Sequence, residues 1–141
     1  MSTKQIPSDP LILVGGLIYF GRMTDKIRKH ARGELREDFH ANLGKGMDGR
    51  LCNFLHVDYE ALKAQVLAGA TDEQVLEWCY AQSRRLNADE ILIWNDFIAK
   101  RGWNDGAAPI LEKFKAEAGL SARADIRTLM EFWAVDEGRK T

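Results

Sequence analysis

Apolar residues recur at helical spacing through most of the chain, and the recurrences break at glycines and at capping residues. After Gly15-Gly16, Phe20, Met23, Ile27 and Ala31 repeat at intervals of three and four, which predicts a helix from about Leu17 to Arg32. Arg22, Asp25 and Lys29 fall on a neighbouring face, spaced for Arg22–Asp25 and Asp25–Lys29 pairs. Gly21 inside this helix costs about 1 kcal/mol relative to alanine, which implies that something packs close to the backbone there.

From Gly33 to Gly49 no period holds, and Gly33, Gly44, Gly46 and Gly49 punctuate the stretch. Loops of that length in small domains are usually functional or disordered. A short helix follows at about Gly49 to Leu55, with Asp48 as its expected N-cap.

Beyond it the punctuation is regular. Asp58 caps a helix of Tyr59 to Ala68 that Gly69 ends, and Thr71 with Gln74 forms a capping box for Asp72 to about Arg85. Asn87 with Glu90 forms another for Ala88 to Arg101. This helix carries Ile91, Leu92, Ile93, Trp94, Phe97 and Ile98 nearly all round and is expected to be central. Gly102 stops it, with Trp103 placed to fold back onto Ile98. Ala107, Ile110, Leu111, Phe114 and Ala118 line a sixth helix that ends at Gly119. Ser121 is expected to cap a seventh, with Ile126, Leu129, Met130 and Trp133 inward. No β-rich run alternates with period two between turn signals. The prediction is an all-α bundle of about six or seven short helices with one long irregular loop. Residues 1–10, rich in turn chemistry and poor in apolar surface, read as a loose arm, and residues 11–141 as a single helical domain.

Composition narrows the function classes. Of 141 residues, 45% are hydrophobic and 29% charged, the balance of an ordinary globular domain. Twenty basic against 21 acidic residues give a net charge of −1, which argues against a polybasic nucleic-acid binder. Lys26, Arg28, Lys29, His30, Arg32 and Arg36 form a local basic stretch. They spread around the helix among Glu34, Glu37 and Asp38, so a solvated face is favoured over a phosphate-binding stripe. Leu11 to Phe20 is the most apolar segment and is far shorter than the ~20 residues that cross a bilayer, so no membrane partner is expected. Cys52 and Cys79, the only cysteines, fit a reducing cytoplasm.

Most candidate chemistry has a plain structural reading. Gly44-Lys45-Gly46-Met47-Asp48-Gly49 matches neither a Walker A loop nor a dinucleotide fingerprint, and a glycine turn accounts for it better than an anion site. Cys52 and His56 lie one turn apart, but no second pair has ligand spacing, so neither a metal nor a cofactor is expected. Trp78, Trp94, Trp103 and Trp133 sit near apolar positions, where core packing is favoured over an aromatic cage. The suggestive set is Arg22, Asp25, Lys26, His40, Asp48 and Arg50, all close in sequence to the irregular loop. The leading expectation is a small anionic or polar ligand, or a partner, held between the first helix and the Gly33–Gly49 loop. Arg22 and Lys26 would supply charge, while His40 and Asp48 would orient the ligand or fix the loop. Two alternatives stand beside it. One is a small enzyme with Asp25 or His40 as general base and Lys26 as electrostatic stabiliser. The other is a structural or regulatory module acting through a protein surface, and oligomeric state stays open in all three readings.

Certain residues in order carry a family likeness: Gly15-Gly16, Arg22-Met23-Thr24-Asp25-Lys26, Phe39-His40, Asp48-Gly49-Arg50-Leu51, Phe54-Leu55-His56-Val57-Asp58, Glu77-Trp78, and Glu90-Ile91 with Trp94. With these the chain, from about Leu11 to Trp103, resembles the domain-of-unknown-function family 5069. The resemblance implies a small helical bacterial protein. It supplies no reaction, but it places the family's polar positions on the set named above.

Overall fold

A computed structural model of the protein describes residues 5–141. The described residues form seven α-helices and one 3₁₀ helix: α1 Phe20–Ala31, the 3₁₀ helix Glu37–Asn42, α2 Met47–Leu55, α3 Tyr59–Leu67, α4 Asp72–Gln82, α5 Ala88–Lys100, α6 Ala108–Glu117 and α7 Leu129–Asp136. The fold is all-α, and among the described residues the β feature is an isolated bridge between Val14 and Leu17. None of these helices is long and apolar enough to cross a membrane. Contacts divide the chain into two compact units, one ending at Ile91 and the other beginning at Leu92.

The first unit is built around α1, which packs on α3 and α4, while α2 packs on α3. Leu17, Phe20, Met23, Ile27, Leu51, Leu55, Leu62, Val66, Val75 and Cys79 are all buried. Each such side chain contributes about 1.5–3 kcal/mol. Ala31, expected on the same stripe, is exposed at the helix end. The entry to α1 is fixed by Gly15-Gly16, both at positive φ (56° and 85°), which closes a tight turn with Val14 and Leu17 exchanging both backbone hydrogen bonds. A Cβ on Gly15 would meet the Leu76 side chain at 2.5 Å.

The loose arm expected over residues 1–10 falls partly on Met1–Lys4, outside the described residues. From Gln5 on, the segment is tied down. Ser8 N–H donates to Asp25 at 2.9 Å, Lys29 to the Ile6 carbonyl at 2.8 Å, Arg22 to the Ser8 carbonyl at 3.2 Å, and Tyr19 N–H to the Pro10 carbonyl at 2.7 Å. Polar side chains on α1 bind this backbone although it has few apolar groups of its own.

The helix starts read from capping chemistry hold where the side chain has an amide three residues on. Asp58 accepts the Ala61 N–H at 3.0 Å. Thr71 with Gln74 and Asn87 with Glu90 make reciprocal bonds of 2.9–3.2 Å.

In the second unit, α6 packs on α7, with Ala107, Leu111, Ile126, Leu129, Met130 and Phe132 buried. The cap of α7 is Thr128, whose hydroxyl accepts the Glu131 N–H at 3.0 Å, and not Ser121. The buried Lys115 ammonium accounts for the difference, because it donates to the carbonyls of Arg123 (2.7 Å) and Ile126 (3.1 Å) and holds the segment before Thr128 in turns. The expectation of a central, all-round buried α5 is also corrected. Trp94 and Ile98, one turn apart, form its buried seam, whereas Leu92 and Ile93 are each 59% exposed. Trp103, expected to fold back onto Ile98, is 56% exposed, and Ile110 on α6 is also exposed.

Candidate functional site

The centre of the first unit holds three polar side chains that the apolar pattern alone would not place together. Tyr19, just before α1, has φ 74° and ψ −29°, a left-handed conformation that a bulky residue seldom adopts. Its ring is buried, and its hydroxyl donates to Asp48 Oδ1 at 2.6 Å. Two turns along α1, Lys26 places Nζ 2.8 Å from the same carboxylate oxygen and 3.1 Å from the Tyr19 hydroxyl. The second oxygen, Asp48 Oδ2, accepts the Gly44 N–H at 3.1 Å.

Burying two opposite charges costs several kcal/mol per ion unless close contact and further hydrogen bonds compensate. Here Asp48 has all of these partners. Burial, and after it the Asp48 charge, push the Tyr19 phenol well above its ordinary value. Among the described residues no buried side-chain polar atom lacks a hydrogen-bond partner. A sealed, satisfied network of this kind clamps the Gly44 segment onto α1. Asp48 is therefore not the N-cap expected from the sequence. Helix α2 begins two residues earlier than expected, at Met47 after Gly46, so the carboxylate faces inward from the first turn.

The other candidates go elsewhere. Arg22 is buried, bonded to the Ser8 carbonyl and lying 5.7 Å from the centre of the Phe39 ring, which Arg36 also approaches at 4.9 Å. Asp25 accepts from Ser8 N–H and pairs with Lys29 at 2.9 Å. His40, on the 3₁₀ helix, has Nε2 2.8 Å from the Leu35 carbonyl oxygen, and its ring meets His30 edge-on at 4.7 Å. Arg50 is exposed on α2. Lys26 and Asp48 are thus brought into one cluster, with Arg22 buried on the same helix, while Asp25 and His40 have separate partners and Arg50 lies on the exposed side of α2. Elsewhere in the basic stretch, Arg28 pairs with Asp72 and Arg32 with Glu34. Cys52 and His56 do not converge, since the thiol is buried 4.0 Å from Met23 Sδ and His56 is exposed in a left-handed C-cap. Burial raises the Cys52 thiol to about 12.

Next to the clamp, α1, the loop and α3 enclose an open pocket of about 300 Å³. Ile27, Ala31, Leu43 and Leu67 give it apolar walls, and His30, Tyr59, Glu60 and Lys63 give it polar groups. Two of its walls depend on the buried network. Leu43 immediately precedes Gly44, whose N–H is held by Asp48, and the Tyr59 ring lies on Gly44 so closely that a Cβ there would be 2.8 Å from it. Gly44 also has φ +75°, so glycine is required on both counts. Burial and the Asp48 charge raise the Tyr59 phenol as well.

Sequence reasoning missed Tyr19, because it sits in an apolar run and reads as core. It named His30 only within the basic stretch, and it did not single out Tyr59, Glu60 and Lys63, which lie on a short helix read only for its caps. The available signal was positional, in that the pocket lies between the first helix and the irregular loop.

The sequence pattern of the family described as Domain of unknown function (DUF5069) matches residues 4–139, nearly the whole chain and well past Trp103, and the chain belongs to that family. Among curated proteins none matches it.

Proposed function

Taking that membership as the premise, we propose that the protein is a small-ligand binding domain of the bacterial cytoplasm, with its site between α1, the Gly33–Gly49 loop and α3. One observation carries the reading: a pocket of about 300 Å³ with apolar walls and a polar rim, two of whose walls are fixed by a buried ionic network. That volume is at the lower end of the roughly 300–1,000 Å³ typical of ligand sites, so the ligand is small. Lys26, Asp48 and Tyr19 are positioning residues in this account, acting through Gly44 and Tyr59 without touching the ligand. The bacterial origin rests on the sequence resemblance, and the cytoplasm on the two buried free thiols, Cys52 and Cys79.

Catalysis by Asp25 or His40 has less support, because Asp25 is engaged by Ser8 and Lys29 and His40 lies against the Leu35 carbonyl. The test is a fragment screen of the ¹⁵N-labelled full chain by protein-observed NMR. Saturable hits that move the amides of Ile27, Leu43, Tyr59 and Lys63 are expected. Hits that consistently map elsewhere, or none at all, overturn the reading.

A further inference from the structure

We propose that the pocket takes a free α-amino acid with an apolar side chain, an inference that rests on the binding reading above and names its ligand class. The observation is the charge arrangement at the rim. Glu60 and Lys63, on adjacent turns of α3, stand 3.9 Å apart with side chains 75% and 37% exposed. An ion pair that long and that exposed contributes little, so a ligand can separate it at little cost. It presents a carboxylate and an ammonium side by side at the mouth of an apolar recess formed by Ile27, Leu43 and Leu67.

A simple carboxylate bound to Lys63 would lie beside the Glu60 charge, and a simple amine bound to Glu60 would lie beside Lys63. Like charges that close are unfavourable. A zwitterion whose ammonium and carboxylate are joined through one carbon meets both charges with the opposite sign. Its ammonium donates to Glu60, its carboxylate accepts from Lys63, and its side chain leaves that carbon toward the apolar wall. A recess of about 300 Å³ has room for a branched aliphatic side chain.

The experiment is isothermal titration of the full chain with three probes sharing one hydrocarbon skeleton: L-leucine, 4-methylpentanoate and 3-methylbutylamine. L-leucine is expected to bind about two- to fivefold more tightly than either analogue, the range of one exposed charge pair. Glu60→Gln should weaken leucine by about two- to fivefold and tighten 4-methylpentanoate, whereas Lys63→Met should weaken both. Both positions are on the surface of α3, and unchanged melting temperatures of the variants confirm an intact fold. Equal binding by either analogue and leucine overturns the zwitterion while leaving a pocket for a singly charged ligand. Absence of binding by all three probes overturns this inference, and the fragment screen then decides separately whether the pocket binds anything else.

Discussion

Lys26 and Asp48 form an ion pair at 2.8 Å between two side chains that are almost completely removed from water, one on α1 and the other in the first turn of α2. Tyr19 and Gly44 donate to the same carboxylate, so a single side chain joins the turn before α1, α1 itself and the loop. Removing either charge leaves the other buried and uncompensated. Asp48→Leu and Lys26→Met are each expected to cost about 3–5 kcal/mol. The double variant Lys26→Met/Asp48→Leu should lose less than the sum of the single losses, since it leaves no orphan charge. Urea unfolding of the four proteins measures the coupling. Additive losses would mean that the two groups do not act as a pair.

Gly44 tests the link from this network to the pocket. A methyl group there would strike the Tyr59 ring at 2.8 Å on a backbone already at φ +75°. Gly44→Ala is expected to cost about 1–3 kcal/mol and to shift Tyr59. Gly33→Ala is the control, since it shares a positive φ of 70° but its added Cβ meets nothing within 4 Å. Its loss should be confined to backbone strain, with the Tyr59 ring signals unmoved in NMR spectra.

Alkaline pH should destabilise the protein. Burial raises the thiols of Cys52 and Cys79 from 9.0 to about 12 in the folded chain. The unfolded chain therefore releases these protons first as pH rises. Stability is full below pH 9 and falls as pH climbs towards 12, with each thiol contributing a slope of up to about 1.4 kcal/mol per pH unit. The Tyr19 phenol, also raised by burial, adds to the fall at the upper end. Denaturant unfolding at increasing pH should show a decline that begins near the ordinary thiol value. A flat profile would contradict the burial of these groups.

The exposed apolar positions of α5 make the opposite kind of prediction. Ile93 is 59% exposed and Trp94, its neighbour, is 2% exposed. Ile93→Glu should change stability by less than about 0.5 kcal/mol, whereas Trp94→Ala should cost about 3–5 kcal/mol. Thermal melts of the two variants decide it, and a large loss for Ile93→Glu would restore the all-round buried helix that the sequence suggests.

These contrasts show what the sequence carries. Helix starts at Asp58, Thr71 and Asn87 were legible because a side chain and an amide three residues on are a local signal. The α7 start was not, although Thr128 with Glu131 has the same spacing, because Ser121 offered a competing cap and the buried contacts of Lys115 lie outside any local pattern. Amphipathic period identified the buried face of α1 well and misled on α5, where apolar residues surround the helix but only the Trp94–Ile98 seam is fully buried. In the candidate site, Lys26 and Asp48 were named for their charge and their closeness to the loop. Tyr19, the third member of their network, sits on a left-handed backbone that nothing in its residue type announces. The rim of the pocket, Glu60 with Lys63, looks in sequence like any exposed helix pair. It gains meaning only from the apolar recess that α1 and Leu43 build beside it.

The central claim, that this recess is a binding site for a small zwitterion, is tested most directly by a crystal structure of the full chain grown in saturating L-leucine. The account predicts density for one leucine with its ammonium against Glu60, its carboxylate against Lys63 and its side chain between Ile27 and Leu43, with the Lys26–Asp48 pair unbroken. An empty recess at saturation, or leucine bound only at other surfaces, would contradict it.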